Sequence, residues 1–208
     1  MKFDRDLLLA PAPEVAPLLL GALLHVTDHD GTVTLRLTEV EAYHGPVDPG
    51  SHAFRGRTER NKVMFGAPGH LYTYFTYGMH TCANIVCSPI GVGSGILLRA
   101  GEVVGGLELA RSRRITSKRD VDLARGPARL VVATGITLDD GGADAVAGSR
   151  VRLELGEPVA AFAQGPRTGV AGIGGADDFP WRFWIPGDQT VSPYKAATKR
   201  QVNTRKTT

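Results

Sequence analysis

Two glutamates, Glu39 and Glu41, close the segment TVTLRLTEVEAY (32–43), whose odd positions read Val33, Leu35, Leu37, Glu39, Glu41 and Tyr43. Alternation over that length predicts a strand. Its apolar face runs straight into two carboxylates and a phenol. A carboxylate at the end of an apolar face is partly withdrawn from water, where it can serve as a general base aimed into a cleft. Two of them also suit a sugar-hydrolysing pair, although side chains two apart on a strand stand roughly 7 Å from each other. An ordinary solvated or ion-paired glutamate is the alternative for either.

Aromatic residues supply the second candidate chemistry. HLYTYFTYGMHTCANIVC (70–87) is dense in aromatic and β-branched residues around Tyr77-Gly78, which predicts a β-hairpin with Tyr77 and Met79 at its tip. Alternate tyrosines such as Tyr72 and Tyr74 usually pack across strands. A protruding apolar tip, however, is a wedge able to part base pairs, and aromatic faces beside Arg-rich segments hold unstacked bases. His52, in SHAFRGR, has no second histidine at metal-ligand spacing, so no zinc site is expected. Asn84 on the returning strand reads as an amide bonding to backbone, and Arg99 in ILLRA as a salt-bridge partner. Cys82 and Cys87 form no disulfide framework and are expected as reduced core thiols.

The elements that must position these groups follow from composition and punctuation. A chain of 208 residues, 42% hydrophobic and 22% charged, suits one α+β domain with a real core. With 26 Gly and 13 Pro, turns outweigh long helices. PAPEVAPLLLGALL (11–24) predicts a proline-started helix on the core; its longest apolar run is half a membrane span. It lacks a basic leader and cleavage pattern, so a cytoplasmic protein with no membrane partner is expected. Residues 51–66 read as a loop with one helical turn capped by Thr58. Gly91, Gly93 and Gly95 read as a turn, because strand-like residues follow where a phosphate-binding motif needs a helix. Helices are predicted over 105–114 and over 127–134, the latter opened by Pro127 and closed by Gly135. Arg125 lies beside that second helix start, a place for a phosphate. Strands at 150–155 and 181–185 complete a mixed, mostly antiparallel sheet.

The formal net charge of +3 is too small to announce a polyanion partner, but its distribution is uneven. Residues 52–62 hold four basic and one acidic residue, 111–125 hold six and two, and 195–208 hold five and none. The rest of the chain is acidic. The organisation expected is a domain over 1–194 and a flexible basic tail over 195–208, with the three basic segments favouring a polyanion.

Together these stretches resemble the alkyladenine (3-methyladenine) DNA glycosylase family. The segments that carry the resemblance are EVEAY (39–43), SHAFRGRTERNKVMF (51–65), PGHLYTYFTYGMHTCANIV (68–86), ILLRA (96–100), ARGPARL (124–130), GPRTGV (165–170) and WRFWIPG (181–187). They occur in family order and spacing. The resemblance implies a single compact α+β domain, a curved sheet or roll with flanking helices and a hairpin projecting into the minor groove. It implies no metal or organic cofactor, and a monomer acting on double-stranded DNA that contains a damaged purine. The activity implied is that of a monofunctional purine DNA N-glycosylase of base excision repair. Such an enzyme flips 3-methyladenine, 7-methylguanine, hypoxanthine or ethenoadenine out of the duplex and hydrolyses its N-glycosidic bond, leaving an abasic site.

Residue by residue, the resemblance makes Glu41 the general base for water and sets Arg99 near the attacked sugar and its phosphate. Tyr43, His52 and Tyr74 would sandwich the extruded base, and Asn84 would meet its edge and reject guanine through the exocyclic amino group. Tyr77 would fill the gap in the duplex and Met79 press on the opposite strand, with Tyr72, Arg57 and Arg125 completing the DNA-binding set. His44 and His80 depart from the family pattern; His44 could tune the pocket at mildly acid pH. Extruding a base costs a few kcal/mol, and the oxocarbenium-like sugar left behind calls for a nearby carboxylate. No lysine in these segments suits Schiff-base chemistry. Two rivals stay open: a module that senses damaged nucleic acid without cutting it, and a sugar hydrolase using Glu39 and Glu41, which gives the Arg-rich segments no role.

Overall fold

Prolines break the N-terminal helix into two short pieces. A computed structural model describes residues 4–76 and 78–197. In it α1 (Ala12–Val15) gives way to a 3-10 turn over Ala16–Leu19, because Pro17 has no N–H to continue the α pattern. The remaining elements are β1 (Leu23–Asp28), β2 (Gly31–His44), β3 (Leu71–Thr76), β4 (His80–Cys87), β5 (Ser94–Gly105), α2 (Leu107–Arg113), α3 (Pro127–Thr134), β6 (Val151–Glu154), β7 (Ala163–Gly165) and β8 (Arg182–Trp184). Tyr77 and the tail from residue 198 onward lie outside the described residues. Among the described residues no helix is long and apolar enough to cross a membrane.

The strands form one curled sheet in the order β3-β4-β5-β2-β1-β6, with β8 joining β2 to β7. Every pairing among the described residues is antiparallel, so the sheet expected to be mixed but mostly antiparallel has no parallel pair among them. β2 organises it. Its first half pairs with β1 through Thr32–Arg36, its second half with β8 through Glu39–Glu41, and β5 runs along its other edge.

The change of partner coincides with register shifts between Leu37 and Val40. Val33, Leu35 and Leu37 enter the core before the irregularity, and Val40 and Ala42 after it. A bulge adds one residue and so reverses which parity faces inward. The apolar face therefore does not run into the carboxylates, as the alternation had suggested. Glu39, Glu41 and Tyr43 are turned to the opposite side of the sheet.

α1, α2 and α3 cover the core face, α3 lying across β4 and β5. Leu130 and Val131 of α3 join Leu71, Ala83, Ile85, Ile96 and Leu98 in the core, each large apolar side chain contributing about 1.5–3 kcal/mol on burial. α3 spans its predicted residues and ends at Gly135 (φ +79°). α2 is shorter than expected, because Gly105 still belongs to β5 and Gly106 adopts φ +70°. β7 had no sequence signal.

Three local readings change. Gly95 is a strand residue of β5 and not part of the turn made by Gly91 and Gly93. Thr58 does not cap a helix; it and Asn61 exchange hydrogen bonds, and the helical turn is a 3-10 turn over Lys62–Phe65. Cys87 is a core thiol that burial pushes up to about 12, whereas Cys82 lies in the wall of the cavity described below.

Gly93 also has no room for a side chain. A Cβ there would stand 2.6 Å from the Phe65 ring and 2.9 Å from Ala53, at φ +75°. Gly93→Ala is expected to cost about 1–3 kcal/mol; a thermal melt indistinguishable from that of the wild type would contradict this.

Candidate active site

Register brings the candidate residues together. Tyr72 pairs with Asn84, Asn84 with Leu97, and Leu97 with Glu41, so one row of side chains crosses β3, β4, β5 and β2. At about 4.8 Å per strand the row is roughly 14 Å long. Odd residues of β5 and even residues of β3 and β4 share this face, while their neighbours enter the core. The result is a cavity of about 360 Å³ whose lining includes Glu41, Tyr43, His52, Tyr72, Tyr74, Asn84 and Arg99. Seven residues named from the sequence thus meet in one place.

Glu41 is fully buried yet surrounded by donors. The backbone N–H of Thr168 donates to Oε1 at 2.7 Å, the Tyr43 hydroxyl to Oε2 at 2.9 Å, and Arg99 Nη1 lies 3.2 Å from Oε2. Burial, and then the Glu41 charge, hold the Tyr43 phenol well above its usual range, so it stays protonated and donates. Oε1 accepts one bond and keeps a second lone pair.

Across the cavity, Tyr72 and Tyr74 stack with ring centres 5.6 Å apart, and His52 meets Tyr74 edge-on at 4.7 Å. The Tyr72 hydroxyl lies 3.3 Å from His52 Nδ1. Burial, and then Arg60, lower the His52 pKa, favouring a neutral imidazole. The 52–61 loop is held by buried Asn61, whose amide donates to the carbonyls of His52 and Gly56. Asn84 donates to the Tyr72 carbonyl at 3.0 Å, leaving the rest of its amide for the cavity it lines.

The second carboxylate behaves differently. Glu39 Oε1 accepts from Arg99 Nε and Arg182 Nε, each at 2.7 Å, and from the Ser192 hydroxyl; Oε2 accepts the Ser192 N–H at 2.7 Å. It is buried and does not line the cavity. Arg99 is accordingly committed to Glu39, Glu41 and Ser192, which makes it an orienting group for Glu41. A phosphate contact, implied by the resemblance, would have to compete with these partners.

Other expectations are corrected by burial and pairing. Tyr72, expected on the DNA, is 2% exposed and forms cavity wall. Arg125 does sit before α3, but its guanidinium donates to the Val191 carbonyl at 2.8 Å and approaches Asp122 at 3.4 Å. Within the basic segment 111–125, Arg111 pairs with Asp120, Arg113 with Asp28, and Arg119 with Asp122, so much of its charge is answered internally. His44 bonds Ser94 and does not line the cavity, and burial lowers its pKa, so it does not face a base held there. Arg57 is exposed on its loop, and Met79, 69% exposed, protrudes beside left-handed Gly78. Asp28, His29 and Asp30 form the one group at metal-ligand spacing among the described residues; they line no part of the cavity, and Arg113 pairs with Asp28 at 2.6 Å.

Several participants had no individual signal in the sequence. Thr168 and Gly169 wall the cavity, and Arg167 beside them is buried against Asp48. GPRTGV had marked the segment but assigned no role. Met64 and Cys82 line the cavity as well.

Comparison with known proteins agrees with the geometry. The family described as "Methylpurine-DNA glycosylase" matches residues 6–189. A relative from Leifsonia xyli subsp. xyli, named "Putative 3-methyladenine DNA glycosylase", is 59% identical over 196 residues, covering 92% of each chain. Proteins of the same name from Streptomyces avermitilis and Nocardia farcinica are 54% and 48% identical, covering 96% and 92% of this chain and 95% and 91% of theirs. The chain belongs to the methylpurine-DNA glycosylase family.

Proposed function

We propose that this DNA glycosylase extrudes a damaged purine from duplex DNA, receives it between His52, Tyr43 and Tyr74, and hydrolyses its N-glycosidic bond with Glu41 as general base. The observation that carries this reading is the single buried carboxylate opening into an aromatic cavity, with Thr168, Tyr43 and Arg99 fixing its direction. As the bond to the base breaks, the sugar gains positive charge that the carboxylate stabilises. Water attacks the anomeric carbon and gives its proton to Glu41 Oε1. The purine leaves with the bonding electron pair and the DNA keeps an abasic sugar. Alkylated bases such as 3-methyladenine and 7-methylguanine leave readily because they carry positive charge, whereas neutral hypoxanthine or ethenoadenine gains from protonation.

The scheme calls on no metal or cofactor, and on one protein molecule per lesion, acting on chromosomal DNA in the cytoplasm. The exposed hairpin end, with Met79 and Phe75, is where the duplex would be parted. The test is base release from duplexes holding 3-methyladenine, hypoxanthine or ethenoadenine, followed by heat and alkali to reveal abasic sites. Tight binding with no release from any of them would favour the sensing module. A two-carboxylate sugar hydrolase is disfavoured because Glu39 is occupied by Arg99, Arg182 and Ser192.

The tail supplies a separate prediction. The carbonyl of Lys195 accepts the N–H of Gly169 at 2.9 Å, which holds Lys195 beside the cavity wall. Removing residues 196–208 deletes Lys199, Arg200, Arg205 and Lys206. Each lost phosphate contact should flatten the plot of log affinity against log salt by about 0.9. An unchanged slope would exclude the tail from the DNA grip.

A further inference from the structure

Arg167 and Asp48 form an ion pair whose two side chains are completely shut off from solvent, each 0% exposed. Arg167 Nη1 and Nη2 donate to Asp48 Oδ2 and Oδ1, both at 2.6 Å. The same nitrogens reach the Ala42 carbonyl at 2.9 Å and the Gly174 carbonyl at 2.6 Å. The guanidinium lies over the Tyr43 ring at 4.5 Å and the Trp181 ring at 5.3 Å. Asp48 also accepts the N–H groups of Gly50 and His44. One guanidinium thereby clamps the end of β2, the 44–50 loop and the 165–175 loop.

Such a pair is a weak source of net stability, since two charges leave water and Arg167 Nε finds no partner. What it supplies is geometry. The residue after Arg167 is Thr168, whose N–H donates to Glu41 Oε1 at 2.7 Å, and the ring beneath the guanidinium belongs to Tyr43, which donates to Oε2. Both donors to the carboxylate are therefore held by the same clamp. The other groups facing Glu41 are Arg99 from β5, Tyr74 from β3 and Cys82 from β4.

We propose that Asp48 and Arg167 are positioning residues for the reaction, fixing the Thr168 N–H against Glu41 so that the carboxylate is aimed into the cavity. This rests on Glu41 being the base of the proposed function. A carboxylate that loses a backbone donor becomes easier to protonate, so the clamp has a signature that mere stability lacks.

The test is a carbon-13 NMR titration of the Glu41 carboxyl in the free, full-length protein, assigned through Glu41→Gln, beside single-turnover base release. Asp48→Asn keeps size and an acceptor oxygen, and Arg167→Lys keeps the charge without the fork. Both variants should raise the Glu41 midpoint, because the Thr168 N–H is no longer held against Oε1. The maximal release rate should fall more than the affinity for lesion DNA. A lowered melting temperature with Glu41 titrating as in the wild type would reduce the pair to a structural role and overturn the proposal; so would unfolding of both conservative variants. If the wild type releases no base while the titrations shift as expected, the glycosylase reading fails and the positioning role stands.

Discussion

Glu41→Gln should lower single-turnover base release by roughly 10²–10⁴-fold, the range for losing a general base, while lesion DNA is still captured. The amide keeps the volume and the direction of the carboxylate but has one acceptor atom where Glu41 presents two. Oε1 faces an N–H donor and Oε2 faces a hydroxyl and a guanidinium. Whichever way the amide turns, its NH₂ meets a donor, and only the Tyr43 hydroxyl can rotate to accept. The substitution should therefore also cost about 1–3 kcal/mol of stability, which a domain of this size tolerates. In the proposed scheme capture depends on the aromatic wall and the hairpin, which Gln leaves intact. Release of hypoxanthine by the variant at the wild-type rate would remove Glu41 from the chemistry.

Glu39→Leu should act on stability. It leaves Arg182 and one face of Arg99 buried without their counter-ion, a change that costs about 3–5 kcal/mol. At roughly 2–4 °C per kcal/mol for a chain of this length, the melting temperature should fall by about 10 °C. Burial opposes ionisation of Glu39, but Arg99 and Arg182 outweigh it and hold its pKa below the ordinary 4.5. A depressed carboxyl contributes stability that is fully present above its unfolded pKa and is lost as pH falls through its folded pKa. The wild type should thus lose melting temperature below about pH 4.5, and the variant should show a shallower acid dependence. Below the melting point the variant should still release base, because Arg99 keeps its contact with Glu41. Equal acid slopes, or loss of chemistry in the folded variant, would show that Glu39 does more than anchor two arginines.

The contrast between two glutamates so close together marks the limit of sequence reading. Their alternation with Tyr43 was legible, and it correctly placed Glu41 beside a phenol. Which of the two meets the cavity was not legible, because occupancy depends on Arg182 and Ser192, which lie 143 and 153 residues from Glu39. The bulge in β2 was equally silent. It arises where the strand exchanges β1 for β8 along one edge, and no local pattern encodes a partner change. Charge was misread for a related reason: the basic segment around Arg111 and Arg119 looked free until Asp120 and Asp122 folded back onto it.

The sequence by itself determined the local pieces: the β2 strand, the aromatic hairpin with its glycine turn, the proline-opened helix α3, and through its motifs the family. Period-two alternation and turn chemistry act over a few residues, so they can be read directly. Only the tertiary structure decided that Glu41 is the open carboxylate, that Tyr72 is cavity wall, and that Thr168 bonds Glu41 with Arg167 paired to Asp48 beside it. Each of those outcomes depends on contacts between segments far apart in the chain, where strand register, burial and ion pairing select among side chains that look alike in sequence.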